Sequence, residues 1–152
     1  MYLKKYLEAF ENRKIKLFVD MDGVIVDYVV GSTSDFHKRR PLISSIEKLN
    51  EISKMENVEL FILSVTKMDE GLKQKQIWLD KYAPFFKENN RIILSRESNS
   101  FKSSADLKAE FLKDFERENS TLILIDDDPT ILKKMMEINS DVVLLKDTAL
   151  VD

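Results

Sequence analysis

The sequence predicts an α/β fold, a Rossmann-like three-layer α/β/α arrangement around a mainly parallel sheet of about five strands. Short apolar runs alternate along the chain with longer segments whose apolar residues recur at helical spacing. This alternation is typical of parallel strands connected by helices. Four successive apolar runs also end in polar residues. Ligands of open α/β sheets bind beyond the carboxyl ends of the strands, so the same pattern predicts where a site would form.

The elements follow one another with short connections. A leading helix is predicted over residues 2–11. Strands are predicted over residues 16–20, 58–63, 91–94, 121–125 and 141–145. Further helices are predicted over residues 41–54, 70–82, 104–118 and 129–138, two of them beginning at a proline. The helix over 70–82 is expected to turn four apolar side chains inward: Leu72, Ile77, Trp78 and Leu79.

Composition limits the classes of function. The 152 residues fit a single domain spanning 1–152. A net charge of −3 gives no broad basic surface, so we expect no stable nucleic-acid complex. No apolar stretch approaches the roughly 20 residues of a membrane span. The absence of cysteine excludes disulfides and thiol catalysis and fits a cytoplasmic protein, and the single histidine excludes any site built on several histidines.

Two acidic turns mark the candidate site. Asp20 and Asp22 follow the first strand, and Asp126 and Asp127 follow the fourth. Carboxylates at buried strand ends are costly unless a cation meets them, and carboxylate oxygens suit Mg²⁺ that also binds a substrate phosphate. The plainer alternatives are an acidic turn that caps the first strand and an acidic cap before Pro129. The cap before Pro129 explains Asp128 well but explains Asp126 poorly.

Each of these residue types has a chemistry to offer. Asp20, nearest its strand, is the candidate nucleophile toward phosphorus. Asp22 is the candidate acid and base for the leaving oxygen and for water. Ser64 ends the second strand, and its hydroxyl, together with a lysine ammonium, would hold the phosphoryl oxygens.

Three segments resemble motifs of the haloacid dehalogenase (HAD) superfamily of phosphohydrolases. They are Asp20-Met-Asp-Gly-Val, Ser64 after Phe-Ile-Leu, and Ile-Asp126-Asp127, which resemble the first, second and fourth motifs. The resemblance implies a Mg²⁺-dependent phosphatase that acts through an aspartyl-phosphate on Asp20. It implies that the metal is held by Asp20, the main-chain carbonyl of Asp22, and Asp126, with Asp127 bound directly or through water. It also implies that Ser64 binds phosphate.

Two stretches are also similar to the 5'(3')-deoxyribonucleotidase branch of that superfamily. One runs from Phe18 to Tyr28, and the other covers residues 75–82 and 91–96. The resemblance implies nucleotides as a substrate class. The third motif of that branch is a lysine, and here the sequence departs from the resemblance. Glu97 and Ser98 occupy the positions where that branch has its lysine. Lys108 is the favoured substitute and Lys102 the alternative, and both could instead be solvated surface lysines.

Only a minimal cap is predicted, a small flap over about residues 27–40 that includes a loop at 31–35. Its basic run from His37 to Arg40 could meet a second phosphate of the substrate or simply solvate the loop. Tyr28 and Phe36 could stack on a base, although packing is the more usual role of such residues. Trp78 is assigned to the core.

Three functions fit these features. The first is a phosphomonoesterase for a small phosphorylated substrate, with nucleotides among the candidates. The second is a phosphatase for an end group on a macromolecule, such as a nucleic-acid 3'-phosphate or a phosphoprotein. The third is a non-catalytic phosphate-binding regulatory module, which only the uncertain third-motif lysine favours. Dehalogenation is least favoured, because Asp22 and the acidic metal site are features of the phosphotransfer branches.

Overall fold

A five-stranded sheet forms the centre of the computed structural model, which describes residues 2–10, 13–28 and 35–151. All strands pair in parallel in the order β3-β2-β1-β4-β5. The strands are β1 (Lys14–Val19), β2 (Val58–Thr66), β3 (Arg91–Ser95), β4 (Ser120–Asp126) and β5 (Val143–Lys146). The predicted α/β class with a parallel sheet of about five strands is confirmed.

Helices cover both faces of the sheet and form the outer layers. They are α1 (Tyr2–Glu8), α2 (Ile43–Ile52), α3 (Glu70–Tyr82), α4 (Ser104–Asp114) and α5 (Pro129–Ile138). The alternation of β1 shows how the layers divide: Leu17 and Val19 pack with α1, α2 and α3, whereas Phe18 packs with α4 and α5. No helix within the described ranges is long and apolar enough to cross a bilayer.

The connection order fixes the position of the site. The chain passes from β1 outward to β2 and β3, then returns to the other side of β1 for β4 and β5. The carboxyl ends of β1 and β4 therefore flank the point where the direction of connection reverses, which is where open α/β sheets bind ligands. The register places Val19 beside Ile62 on one side and Ile125 on the other. Asp20, Ser64 and Asp126 therefore come to one edge.

Three helices have boundaries that differ from the predicted ones. The helix predicted over 41–54 runs from Ile43 to Ile52, and Pro41 precedes it in a bridge to Val26. The leading helix ends at Glu8, and residue 11 of the predicted range lies outside the described residues. The helix predicted over 104–118 ends at Asp114, because Phe115 takes an extended conformation with φ −76° and ψ 127°. The Arg117 guanidinium donates to the carbonyls of Leu112 and Phe115. These carbonyls lie at the end of the helix and need donors from outside it.

The prediction for the buried face of α3 was partly wrong. Trp78 is fully buried, as predicted, but Ile77 is 44% exposed. The buried positions of α3 are Gly71, Lys75, Trp78 and Leu79. They follow the i, i+4, i+7, i+8 spacing of one helix face, and Ile77 lies off that face. The residue that completes the face is therefore a lysine, a residue type that apolar periodicity does not detect.

Candidate active site

The turn after β1 brings two acidic loops together. The amide of Asp20 donates to the carbonyl of Ile125 at 3.0 Å, which extends the pairing of β1 with β4 past the strand end. Gly23 has a φ of +78°, in the left-handed region that favours glycine. A Cβ at this position would lie 2.1 Å from Asp127 Oδ2. Gly23 therefore permits both the turn and the close approach of Asp127.

Three carboxylates form a cluster at this edge. Asp20, Asp126 and Asp127 offer oxygens that all lie within 4.8 Å of one another, and Asp20 and Asp126 are buried. Burial raises the pKa of Asp20 to about 7, with the charges of Asp126 and Asp22 adding to the rise and Lys108 opposing it. Burial and the charge of Asp126 likewise raise the pKa of Asp127. These shifts reflect the cost of placing several negative charges close together in a buried site, and a bound divalent cation would offset that cost.

Asp128 belongs to a different structure. Its side chain accepts from the amide of Thr130 at 2.8 Å and caps α5, as expected for an acidic residue at a helix start. Asp126 instead accepts from the amide of Asp128 through one carboxylate oxygen and directs the other toward a lysine. The capping explanation therefore accounts for Asp128 and leaves Asp126 and Asp127 to the carboxylate cluster.

That lysine is Lys108, which reaches the cluster from α4. Its ammonium lies 2.8 Å from Asp20 Oδ1 and 2.7 Å from Asp126 Oδ2, and its side chain is 2% exposed. Burial alone would lower the pKa of Lys108, but the charges of Asp20 and Asp126 and the hydrogen bonds to both raise it above the ordinary value. Lys102 instead pairs with Glu110 at the surface. Of the two lysines considered from the sequence, the structure brings Lys108 to the acidic turns.

Asp22 lies between two cations. Its Oδ1 accepts from an Arg39 guanidinium nitrogen at 2.6 Å, and its Oδ2 accepts from the Lys75 ammonium at 3.0 Å. Lys75 also donates to Ser64 Oγ at 2.7 Å. Lys75 therefore links Asp22 and Ser64, two predicted site residues, although it was not itself predicted to belong to the site. The available signal was the spacing of Gly71, Lys75 and Trp78, which places Lys75 on the buried face of α3.

The described part of the predicted flap is docked on α3. The amide of Phe36 donates to Gln74 Oε1 at 2.5 Å, and Trp78 Nε1 donates to the carbonyl of Arg39 at 3.0 Å. The rings of Phe36 and Trp78 also meet edge to face. Residues 29–34, which include most of the predicted loop, lie outside the described residues. Residues 36–39 therefore form a wall beside Asp22 that is held by α3.

The basic residues of that segment make different contacts. Arg39 reaches Asp22, whereas Arg40 pairs with Asp27 at 2.6 Å and Lys38 pairs with Asp35 at 3.8 Å on the surface. Beside Asp22 a small pocket of about 60 Å³ opens between this segment, the end of β2 and α3. Its lining includes Arg39, Lys67 and Lys75, so the space nearest Asp22 is bounded by cationic side chains.

The chain matches no family model and no curated protein sequence. It does match solved structures. A chain of the Pnkp1/Rnl/Hen1 complex superposes with a TM-score of 0.69 and 14% identity, covering 90% of this chain and 46% of that one. A chain of the Pnkp1/Rnl/Hen1 RNA repair complex gives 0.66 and 16%, covering 90% and 43%. The class C acid phosphatase from Bacillus anthracis with tungstate bound gives 0.58 and 10%, covering 97% and 73%.

The fold is shared with these matched structures, among them a class C acid phosphatase. The chain spans less than half the length of the first two matched chains. The TM-scores show a common fold, and at identities of 10–16% both the HAD superfamily and its nucleotidase branch stay predictions. At the site described above, the buried Asp20 and Asp126 and the partly buried Asp127 form a cluster able to hold a metal.

Proposed function

We propose that this chain is a Mg²⁺-dependent phosphatase that hydrolyses phosphate monoesters through an aspartyl-phosphate on Asp20. The observation that carries the proposal is the environment of Asp20, a buried carboxylate at a strand end that faces Asp126, Asp127 and the ammonium of Lys108. A carboxylate held in this way can act as a nucleophile when surrounding cations offset its charge and that of the phosphoryl group.

The donor set fits a hard cation. Its side-chain donors are carboxylate oxygens, which suit Mg²⁺ better than the thiolate or imidazole sets that softer metals prefer. Asp20, Asp126 and Asp127 would hold the ion, and the main-chain carbonyl of Asp22 is the further ligand that the superfamily resemblance implies. When bound, Mg²⁺ would offset negative charge where an anionic nucleophile approaches an anionic phosphoryl group.

The chain's own residues account for the two chemical steps. An oxygen of Asp20 attacks phosphorus, the bond from phosphorus to the ester oxygen breaks, and Asp22 gives that oxygen a proton. Water then attacks phosphorus and gives a proton back to Asp22, while the bond between Asp20 and phosphorus breaks. Ser64 and Lys108 hold phosphoryl oxygens in both steps. Because both oxygens of Asp22 accept from cations in the structure, one of those contacts must exchange during turnover.

The non-catalytic alternative is the weaker proposal. It rested on the absence of a lysine where the nucleotidase branch has its third motif, but Lys108 reaches Asp20 and Asp126 from α4. One observation supports the macromolecular alternative: two of the matched chains come from the Pnkp1/Rnl/Hen1 complex, which one of the structures describes as an RNA repair complex. We retain small phosphate monoesters, with nucleotides as one class, as the leading proposal and RNA or DNA 3'-phosphate ends as the second.

Turnover of p-nitrophenyl phosphate by the full chain tests the proposal. We expect release of p-nitrophenol that requires Mg²⁺ and stops when EDTA is added, because chelation leaves the carboxylates of Asp20, Asp126 and Asp127 without their cation. Binding of Mg²⁺ and inorganic phosphate without turnover of any ester in the panel would contradict the enzyme proposal and favour a phosphate-binding module.

A panel of esters separates the substrate classes. The arms are nucleoside 5'- and 3'-monophosphates, sugar phosphates, a phosphopeptide and a 3'-phosphorylated oligonucleotide, compared by kcat/KM. A preference for mononucleotides would support the nucleotidase-like proposal. A preference for the oligonucleotide over the matching 3'-mononucleotide would support the end-group alternative and overturn the leading one.

A further inference from the structure

Lys75 is a buried lysine that none of the predicted roles includes. It lies on the inward face of α3 and is 3% exposed. Its ammonium donates to Ser64 Oγ at 2.7 Å, to the carbonyl of Val65 at 2.9 Å and to Asp22 Oδ2 at 3.0 Å. A lysine ammonium has three hydrogens to donate and accepts none, so these contacts use its full capacity. Its position is therefore fixed by the elements around it.

The contact with Ser64 decides how that hydroxyl can be used. A serine hydroxyl has one hydrogen to donate and two lone pairs that accept. Because Lys75 can only donate, Ser64 must accept in this contact, and its own hydrogen is directed elsewhere. A hydroxyl that is to bind an anionic phosphoryl oxygen must donate to it. Lys75 therefore leaves Ser64 in the state that phosphate binding requires.

The contact with Asp22 links the same ammonium to a second loop. Ser64 belongs to β2 and Asp22 to the turn after β1, and Lys75 bonds both from a third element. The aromatic ring of Phe36 lies 4.9 Å from the ammonium and closes its remaining side. Burial lowers the pKa of Lys75, and the charges of Asp22 and Asp20 oppose that effect. A methionine of similar length would fill the space without the cost of burying an ammonium.

We propose that Lys75 is a positioning residue that sets the Ser64 hydroxyl as a donor toward the phosphoryl group and holds Asp22 beside it. The proposal rests on the proposed function for the roles of Ser64 and Asp22. It assigns to α3 a part in the phosphate site, and it explains why the buried face of this helix includes a lysine. Its consequence is that the effect of Lys75 on phosphate binding depends on the presence of the Ser64 hydroxyl.

The test compares Lys75→Met with Lys73→Met, a matched change at an exposed position two residues earlier on the same helix. Binding of inorganic phosphate in the presence of Mg²⁺ is measured by calorimetry. Lys75→Met is expected to weaken phosphate binding about tenfold, the effect of losing one well-oriented hydrogen bond to a charged group. Lys73→Met is expected to bind phosphate as the native chain does. Unchanged phosphate affinity in Lys75→Met, with only a lower melting temperature, would show a purely structural role and overturn the proposal.

The double variant with Ser64→Ala isolates the mechanism. If Lys75 acts through Ser64, phosphate binding by the double variant is expected to be within about twofold of that by Ser64→Ala alone, because the hydroxyl to be oriented is already gone. Losses that multiply would show that Lys75 acts independently of Ser64 and would overturn the proposal.

A structure of the native chain with Mg²⁺ and orthovanadate gives a measurement that does not depend on the variants folding. The Lys75 ammonium is expected to remain within hydrogen-bond distance of Ser64 Oγ while Ser64 contacts the vanadate. Direct contact between Lys75 and the vanadate would make Lys75 a phosphate ligand and contradict a positioning role. Phosphate binding without ester turnover would reject the proposed function alone, since these measurements need no catalysis.

Discussion

Asp20→Asn is expected to lower kcat for p-nitrophenyl phosphate by about a thousandfold or more, the scale seen when a covalent nucleophile is removed. The amide nitrogen and oxygen preserve the size of the side chain but cannot form the acyl-phosphate bond. Asparagine also removes one negative charge from the cluster with Asp126 and Asp127. The change in kcat is measured at saturating Mg²⁺, so that weaker metal binding does not account for the loss.

Asp128→Asn is the matched control, since Asp128 is another acid of the same strand edge. Its side chain caps α5 through the amide of Thr130, and asparagine is as good a cap as aspartate. This variant is expected to keep close to native activity and stability. If Asp20→Asn hydrolysed the ester as fast as the native chain, the assignment of Asp20 as nucleophile would be wrong.

Lys108→Met is expected to destabilise the metal-free protein by about 3 kcal/mol or more. The lysine is buried between Asp20 and Asp126, and removing one partner of a buried ion pair leaves uncompensated charge. Mg²⁺ is expected to restore part of the lost stability, because a cation bound by the same carboxylates supplies the missing positive charge. The free energy of unfolding is measured by urea titration, once with EDTA and once with saturating Mg²⁺.

Lys102→Met is the matched control for that prediction. Lys102 and Glu110 are each about half exposed, and surface pairs of this kind contribute from zero to about 1 kcal/mol. The variant is therefore expected to unfold close to the native chain and to keep its activity. Equal effects of the two lysine changes, on stability and on kcat, would contradict the distinction that the structure draws between Lys108 and Lys102.

The sheet and the acidic turns were predictable because the signals are local and strong. β1, β2 and β4 are apolar along most of their length, and the residues that follow or end them are charged or hydroxylated. Parallel strands place such residues at one edge. The choice between Lys108 and Lys102 was harder, because both lie near the start of a helix. It depends on the phase of α4, which begins after the Ser103 cap and turns Lys108 toward the sheet together with Ala105, Ala109 and Leu112.

The cationic side of the site could not be derived in the same way. Lys75 belongs to a helix face that is otherwise apolar or small, and a lysine there is ordinarily assigned to solvent. Arg39 reaches Asp22 because its backbone carbonyl accepts from Trp78 and the preceding Phe36 is held by Gln74. These contacts join parts of the chain that are nearly 40 residues apart. A basic run in a predicted flap does not reveal which of its members will face the site.

Acid quenching of the native chain during turnover of a phosphate ester with Mg²⁺ tests the central claim most directly. Peptides are then mapped by mass spectrometry for a covalent phosphoryl group, with and without hydroxylamine, which cleaves acyl phosphates. We predict one phosphoryl group on the peptide that contains Asp20, labile to hydroxylamine and absent from Asp20→Asn. Turnover with no phosphoryl group on that peptide, or with one on a different residue, would contradict the claim that Asp20 is the nucleophile.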